Sequence, residues 1–277
     1  FSMMHVCVRY LGQEIHPFEI AFFRNFIACI FLLPLIVKDG GQLMKTAHLK
    51  WHVLRSALNV VAILMFFYAL SITPLAVVQG LGFTAPIFAT IMAVVFLGEK
   101  VKLRRWIAII AGFVGVLLIL RPGFQPLETG ALLVLGSSAI WALTLITIKR
   151  LSNTDSPLTI TVYATVFLSI LTFIPSTFFW TWPEGWQWGL LVFAALTGTF
   201  AQLFLAKAFS YAETSVVLPF DFGKIIWSAA LAYVIFGELV SVWTWVGAIM
   251  IFGGACYVAI RERQLEKSAT PVTVKTV

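Results

Sequence analysis

The chain has 277 residues, of which 60% are apolar, 15% are aromatic and only 11% are charged, and its mean hydropathy is +0.96. A soluble domain carries about 25% charged residues, so this composition excludes a soluble globular protein and predicts an integral membrane protein. The net charge of +7 does not indicate a nucleic-acid-binding protein, because the basic residues form no patch interleaved with aromatic side chains.

The chain divides into apolar segments that can cross a membrane as helices, for which about 20 residues are needed. Residues 1–11 are apolar but only about half a span long, and we expect them to be the end of a first helix that starts before the sequence. Nine longer apolar segments follow, bounded by proline, glycine or clustered charges, at approximately 18–37, 53–71, 75–97, 103–120, 129–149, 158–179, 188–207, 214–236 and 242–260. The sequence therefore predicts an all-α integral membrane protein with ten transmembrane helices, the first of them truncated, and a polar, disordered tail over residues 261–277.

Lysine and arginine are distributed unevenly between the two sides of this predicted bundle. Fifteen of the nineteen lie in loops and helix ends on the side that holds both termini. Arg9 and Arg121 lie on the opposite side, and Arg24 and Lys224 lie within spans. Cytoplasmic loops of membrane proteins carry this kind of excess positive charge. We therefore expect both termini to be cytoplasmic, in a plasma membrane or, in a bacterium, in the inner membrane.

The second half of the chain repeats the first. Identical residues recur at a shift of 139 positions, among them Ala69/Ala208, Val77/Val216, Gly98/Gly237, Glu99/Glu238, Trp106/Trp245 and Gly115/Gly254. Identities at a density several times above chance indicate a duplication. Each half contains five spans, an odd number, so the sequence predicts two inverted five-helix repeats, at residues 1–122 and 123–260. Inverted repeats are common in secondary transporters, whose substrate site lies between the halves near the middle of the membrane.

Four motifs resemble those of a known family. They are HPFEIAFFRN at 16–25, ALSITPLAVVQGLGFTAPIF at 69–88, LGEKVKLRRW at 97–106 and GVLLILRPG at 115–123. In these motifs, and over essentially its whole length, the chain is similar to the drug/metabolite transporter superfamily, in particular to its EamA-type ten-helix members. The resemblance implies alternating access and a central cavity lined mainly by the third, fourth, eighth and ninth helices. It identifies the substrate poorly.

The ninth span carries two charges, Asp221 and Lys224. Each costs about 2.5–3.5 kcal/mol near the centre of a bilayer unless it faces protein or a water-filled cavity. Together with Ser228 they form one stripe at helical spacing, and the repeat aligns them with small residues, Gly82 for Asp221 and Ala85 for Lys224. We predict that Lys224 binds a carboxylate or phosphate of a substrate, and that Asp221 contacts an amine or takes up a proton. The alternative is a structural ion pair that fixes helix packing.

A third charge, Arg24, lies about six residues into the second span. A guanidinium binds carboxylates bidentately, so Arg24 is a further candidate for an anionic ligand. Pairing with Asp221 or Glu19, or snorkelling to the membrane surface, are the alternatives. Uncharged polar side chains within spans are also costly unless another helix or cavity water satisfies them. The further candidates for contacting the substrate are Asn59, Gln79, Gln202, Tyr68, Ser228 and Trp227.

Other functional classes lack their residue signatures. The four histidines and three cysteines show no metal-ligand spacing, and the sequence contains no Walker loop and no Ser/His/Asp arrangement. No enzyme activity, cofactor, metal or nucleic-acid partner is therefore predicted. The sequence predicts a secondary transporter of a small polar organic metabolite, anionic or zwitterionic and amino-acid-like. A passive channel is the principal alternative and a membrane-embedded enzyme a less favoured one. Coupling to a proton or a counter-substrate stays open, as does the oligomeric state.

Overall fold

The computed structural model describes residues 1–82, 84–85, 87–89, 91–92, 103–120, 128–211 and 223–269. These residues contain ten α-helices, which we number α1 (Ser2–Leu11), α2 (Pro17–Lys38), α3 (Leu49–Ile72), α4 (Leu75–Gly82), α5 (Leu103–Leu120), α6 (Thr129–Leu151), α7 (Pro157–Ser176), α8 (Gly185–Tyr211), α9 (Gly223–Phe236) and α10 (Val242–Ala269). Two short 3-10 helices, Gln42–Met44 and Thr177–Phe179, precede α3 and follow α7. The predicted all-α fold with ten helices is confirmed.

Five helices in the described segments are long and apolar enough to cross a membrane, namely α2, α3, α6, α7 with its 3-10 extension, and α8. Shorter apolar helical stretches in the described residues include Ile110–Ile119, Trp227–Phe236 and Val242–Gly254. Large apolar side chains cover the outer surface of the bundle; Val37, Phe204 and Val234 are each more than 60% exposed. Such a surface is stable against lipid rather than water. The protein is therefore a multi-pass membrane protein.

The helix α10 continues further than the sequence predicts. Residues 261–269 were expected to belong to a disordered tail, yet they extend this helix to Ala269. The stretch RERQLEKSA is rich in arginine, glutamate, glutamine, leucine, lysine and alanine, which are good helix formers. Strong propensity next to an existing helix end lowers the cost of adding turns, because no new nucleus has to form.

The helices α2 and α7 begin in the same way. Each has a proline at its first position, where the missing N–H is not needed. The preceding residue caps the helix in both: His16 Nδ1 accepts from Phe18 N at 3.3 Å, and Ser156 Oγ accepts from Thr159 N at 3.0 Å. Equivalent helices of the two halves thus start with the same local chemistry.

Helix pairing across the halves reflects the duplication. The helix α5 packs along α10, α2 along α7 and α4 against α9, while α3 packs along α6 as α1 packs along α8. The repeat relates α1 to α6, α2 to α7, α3 to α8, α4 to α9 and α5 to α10. Exchanging the two helices of every such couple converts this set of pairs into itself. Two five-helix units related by a pseudo-twofold axis produce such a set. The predicted boundary at residues 122–123 lies outside the described residues.

Close backbone approach joins α5 to α10. A Cβ atom added at Gly115 would lie 2.6 Å from the Gly247 carbonyl oxygen, and one added at Gly247 would overlap the Gly115 carbonyl oxygen. Neither position can hold a side chain without separating the helices. Small residues allow membrane helices to pack at such short distances, so Gly115 and Gly247 serve packing within this chain.

At one end of the bundle a polar network ties the two halves together. Arg9 Nη2 forms an ion pair with Glu238 Oε1 at 2.7 Å, and Arg9 Nη1 donates to the carbonyl oxygens of Leu70 at 2.7 Å and Thr73 at 2.5 Å. The second Glu238 oxygen accepts from Leu75 N at 3.0 Å. These bonds connect α1 and the α3–α4 turn to the residue that follows α9. We call this the Arg9 end.

At the other end of α3, a second network also joins the halves. His52 Nε2 lies 2.8 Å from Asp155 Oδ2, which accepts from Thr46 Oγ1 at 2.9 Å as well. The Tyr163 hydroxyl donates to the Met44 carbonyl oxygen at 2.6 Å. The contacts connect α3 and the loop before it to α7 and the α6–α7 turn. We call this the Asp155 end.

Candidate functional site

An internal cavity lies between the two ends and is lined by both halves. The helices α1, α2, α3 and α4 contribute from the first half, and α6, α8 and α9 from the second. The space open to the centres of water molecules is about 120 Å³, which holds roughly four waters at the liquid's share of about 30 Å³ each. Its described polar residues are His5, Arg24, Asn59, Gln79, Ser137, Ser138, Gln202 and Lys224, and its aromatic ones are Phe1, Phe66, Phe67 and Trp141.

Arg24 is a buried cation in the cavity wall, only 2% exposed. Its Nη2 donates to Asn25 Oδ1 at 2.7 Å and its Nη1 contacts the Met4 sulfur at 3.3 Å. Its Nε is buried with no hydrogen-bond partner in the described part of the chain, and no described carboxylate pairs with it. Glu19 instead accepts from the backbone N–H and the hydroxyl of Thr181. A buried guanidinium in this state is suited to an anionic ligand, which would offset its desolvation.

Gly198 of α8 makes room for this guanidinium. A Cβ atom at this position would lie 2.6 Å from both Arg24 Nη1 and the Met4 sulfur. The absence of a side chain therefore lets α8 approach α1 and α2 where Arg24 enters the cavity wall. Small residues allow membrane helices to pack at such short distances.

Lys224 reaches the cavity from α9, and its Nζ lies 5.3 Å from the centre of the Phe1 ring. The Ser2 hydroxyl donates to the Lys224 carbonyl oxygen at 3.3 Å and accepts from the Ser228 hydroxyl at 3.1 Å. Ser228 is buried by this contact between α1 and α9 and does not line the cavity. Asp221 lies outside the described residues, so its predicted relation to Lys224 stays a prediction.

Gln79 of α4 and His5 of α1 meet in the cavity wall. Gln79 Nε2 lies 2.6 Å from His5 Nδ1, and the His5 ring packs 5.0 Å from that of Phe66. If the amide donates, Nδ1 accepts and the neutral imidazole carries its proton on Nε2. The pair places a proton donor and an amide oxygen beside the cationic groups.

Asn59 of α3 and Gln202 of α8 line the cavity. The family resemblance implies that these two helices contribute to the lining. Asn59 is 2% exposed, and its Nδ2 has no hydrogen-bond partner among the described side chains and backbone. Gln202 Oε1 accepts from Arg55 Nη2 at 3.3 Å. At the cavity, the Asn59 amide therefore offers a donor that has no partner in the described residues. The Gln202 amide oxygen already accepts a hydrogen bond.

Besides Ser228, two other predicted contact residues do not line the cavity. Trp227 is 67% exposed, because it precedes Ser228 by one residue and so points about 100° away from it around α9. Tyr68 is 38% exposed and packs against His16 and Phe18, with ring centres 6.1 and 6.4 Å apart. It lies near the Arg9 end of α3, beyond the part of that helix that lines the cavity.

Two buried ionisable residues, His5 in the cavity wall and Arg55 beside it, are not among the candidates that the sequence predicts. His5 lies within the apolar run of residues 2–8, so the signal that marked Lys224 was present there too. Arg55 lies six residues after the start of α3 and resembles a charge that flanks a span. Only the fold shows that it is 2% exposed and bonded to a residue of the cavity wall.

Comparison with known proteins agrees with this architecture. Residues 1–121 and 128–260 match the EamA-like transporter family. An S-adenosylmethionine uptake transporter of Rickettsia felis is 29% identical over 263 residues, covering 95% of this chain and 90% of that protein. A riboflavin transporter of Vibrio cholerae is 33% identical over 236 residues, covering 84% and 79%. A solved crystal structure superimposes on 96% of each chain with a TM-score of 0.64 at 17% identity, which supports the fold alone.

The family match spans both halves of the helical bundle. The similar proteins from Rickettsia felis and Vibrio cholerae are named as transporters of small metabolites. The chain therefore belongs to the EamA-like transporter family and is a multi-pass membrane transporter of a small metabolite.

Proposed function

We propose that the protein is a secondary transporter that moves a small polar organic metabolite with an acidic group, anionic or zwitterionic, by alternating access through the central cavity. Arg24 and Lys224 bind the acidic group, and Asn59, Gln79 and Gln202 orient the rest of the molecule. In a zwitterionic substrate the amine would be received by Asp221, which the sequence places about one helical turn from Lys224; this carboxylate could alternatively take up a coupling proton.

The proposal rests above all on the state of Arg24. Its guanidinium is buried, lines a cavity between the two halves, and keeps an unpartnered Nε within the part of the chain that the structure describes. A charged group in a membrane interior faces protein or a wet cavity and marks a functional site by default. An acidic group on a substrate would supply the missing acceptor and neutralise the charge.

The orientation and membrane belong to the same proposal. The excess of lysine and arginine in the sequence places the Asp155 end at the cytoplasm and the Arg9 end outside. The membrane is then the plasma membrane, or the inner membrane of a bacterium. The aromatic rings of Phe66 and Trp141 at the cavity would contact a planar part of the substrate.

The test is a counterflow screen with purified protein in proteoliposomes. The panel contains amino acids, mono- and dicarboxylates, S-adenosylmethionine and riboflavin. We expect saturable counterflow of an acid or zwitterion. Arg24→Gln and Lys224→Ala should each raise its KM about tenfold or more, since each removes a charge-assisted hydrogen bond. Uptake of neutral analogues should change far less.

Lys207→Ala is the matched control, because Lys207 is an exposed lysine on α8 outside the cavity. This variant should transport like the wild type. Unchanged transport of acids by both Arg24→Gln and Lys224→Ala would contradict the proposed binding roles. Flux that rises linearly with concentration and shows no counterflow would instead support the passive channel.

A further inference from the structure

Arg55 is a second buried cation beside the cavity, and its hydrogen bonds are long and therefore weak. It is 2% exposed although it lies within α3. Its Nη1 donates to the Ile160 carbonyl oxygen at 3.3 Å and its Nη2 donates to Gln202 Oε1 at 3.3 Å. Charge-assisted hydrogen bonds are normally about 2.7–2.9 Å long. Within the described chain, Nε has no partner and no carboxylate pairs with the guanidinium.

The neighbouring residues on α3 are also donors without acceptors. Ser56 is fully buried and Asn59 is 2% exposed, and Ser56 Oγ and Asn59 Nδ2 are unpartnered among the described residues, like Arg55 Nε. Positions 55, 56 and 59 share one side of a helix, within an arc of about 100°. Three buried, unpartnered hydrogen-bonding groups in little more than one turn are costly unless a ligand satisfies them.

One carboxylate, Asp155, contacts α3 at His52, three residues before Arg55, and it is already engaged. Asp155 lies against His52 at 2.8 Å and Thr46 at 2.9 Å. It therefore serves the Asp155 end rather than Arg55. The protein itself thus supplies hydrogen-bond donors at Arg55 and Asn59 and, in the described residues, no anion to receive them.

We propose that Arg55, Ser56 and Asn59, with Gln202, form a second anion subsite between the central cavity and the Asp155 end. It takes a carboxylate or phosphate group. Asn59 and Gln202 line the cavity that also contains Arg24 and Lys224, so one molecule reaches both subsites. The inference rests on the proposed function and deepens it: the preferred substrate carries two acidic groups. Arg24 and Lys224 bind one, and the Arg55 subsite binds the other.

The test compares two acids of equal chain length, succinate with two carboxylates and butyrate with one, as competitors in counterflow. Wild-type protein should be inhibited by succinate about tenfold more strongly than by butyrate. Arg55→Gln should remove this preference and leave inhibition by butyrate unchanged. Arg24→Gln should weaken inhibition by both acids. Equal inhibition by the two acids in the wild type, or an unchanged preference in Arg55→Gln, would overturn the subsite.

Two further variants separate binding from folding. Arg55→Lys retains the charge and should keep part of the preference for succinate, whereas Asn59→Ala should reduce it. If size exclusion shows that Arg55→Gln does not fold, these two variants test whether the subsite binds the second carboxylate. Arg150→Gln is the matched control, because Arg150 is an exposed arginine near the same end and stacks on Trp51 at 4.1 Å. It should leave the preference unchanged.

A binding measurement keeps the subsite testable if none of the acids is transported, which would count against the proposed function alone. Wild-type protein in phosphatidylcholine nanodiscs should be stabilised against heat by succinate and by inorganic phosphate, and Arg55→Gln should lose this response. Phosphatidylcholine has no net negative charge, so the response cannot come from an anionic lipid. Stabilisation that requires phosphatidylglycerol, or an equal response in Arg55→Gln, would overturn a soluble anion as the ligand.

Discussion

At the residue scale, the proposed binding chemistry rests on buried cations. Arg24 and Arg55 are each 2% exposed, and each retains a partnerless Nε in the described structure. A guanidinium stays charged, so burial does not relieve its desolvation by deprotonation as it does for lysine. For this reason both side chains are proposed above as receptors for acidic groups rather than as parts of the packing.

A prediction at this scale concerns His16, which lies just before the membrane-spanning part of α2. Its neutral Nδ1 caps the helix, its ring stacks on Phe179 at 3.7 Å, and burial lowers its pKa below the usual 6.5. The folded protein therefore binds fewer protons than the unfolded chain as the pH falls through about 6.5, and its free energy of unfolding decreases. Above that pH the stabilisation is fully present.

We expect the melting temperature of the wild type to fall between pH 7.5 and 5.5, and His16→Asn to show a smaller fall. Asparagine keeps a capping oxygen but does not titrate. The decrease in the free energy of unfolding cannot exceed the contribution of one helix N-cap, about 1 kcal/mol. His48→Asn is the control, because His48 precedes α3 without a side-chain cap. An identical pH dependence in His16→Asn and the wild type would contradict the capping role.

The sequence predicts part of the site because isolated charges in apolar spans are visible without a structure. Lys224, Arg24, Asn59, Gln79 and Gln202 all line the cavity. Which face of a helix turns inward depends on its neighbours, and this is why Trp227 and Tyr68 lie elsewhere. The burial of Arg55 could not be predicted, because a charged side chain near a helix end can either extend to the membrane surface or be buried. The packing of α7 and α8 against α3 determines which of the two occurs.

At the scale of elements, the Arg9 end is held by a few polar bonds between the halves. The Arg9 and Glu238 side chains are 17% and 19% exposed, so their ion pair is partly shielded from water. Glu238 also binds the first N–H of α4 at Leu75. Alternating access requires one end of the cavity to open, and opening at this end must separate these groups.

We predict that Glu238→Ala lowers the free energy of unfolding by about 1–2 kcal/mol, since it leaves Arg9 without its carboxylate and Leu75 N without its acceptor. Glu238→Gln should cost less, because an amide oxygen can still accept. Thermal unfolding in detergent measures both. Glu128→Ala serves as control, because Glu128 is exposed and its side chain does not cap α6. Equal melting temperatures for Glu238→Ala and Glu128→Ala would show that the network contributes nothing.

At the scale of the whole molecule, the duplicated architecture places the cavity. The corresponding helices α4 and α9 meet each other at the cavity, and the pairs α1 with α8 and α3 with α6, which the repeat exchanges, enclose it from both halves. The number of helices could be predicted because proline, glycine and charges interrupt the apolar runs. Which helices pack against one another could be anticipated only from the repeat. In lipid, hydrophobicity alone does not determine which helix packs against which. Close contacts such as Gly115 with Gly247 supply the missing specificity.

The central claim is that solute passes through the cavity between the halves, and filling the cavity tests it most directly. Gly82 lines the cavity, and among the described residues a Cβ atom there would meet only Phe66, at an ordinary 3.7 Å. The backbone at this position therefore accepts a side chain such as leucine. Gly189→Leu is the matched control, because nothing lies within 4 Å of a Cβ at that exposed position on α8.

Counterflow in proteoliposomes is measured for both variants at equal protein incorporation. We predict that Gly82→Leu reduces transport at least about tenfold, because the added side chain occupies much of a space of about 120 Å³. Gly189→Leu should transport like the wild type. Normal transport by a correctly folded Gly82→Leu protein would contradict the claim that this cavity is the path of the solute.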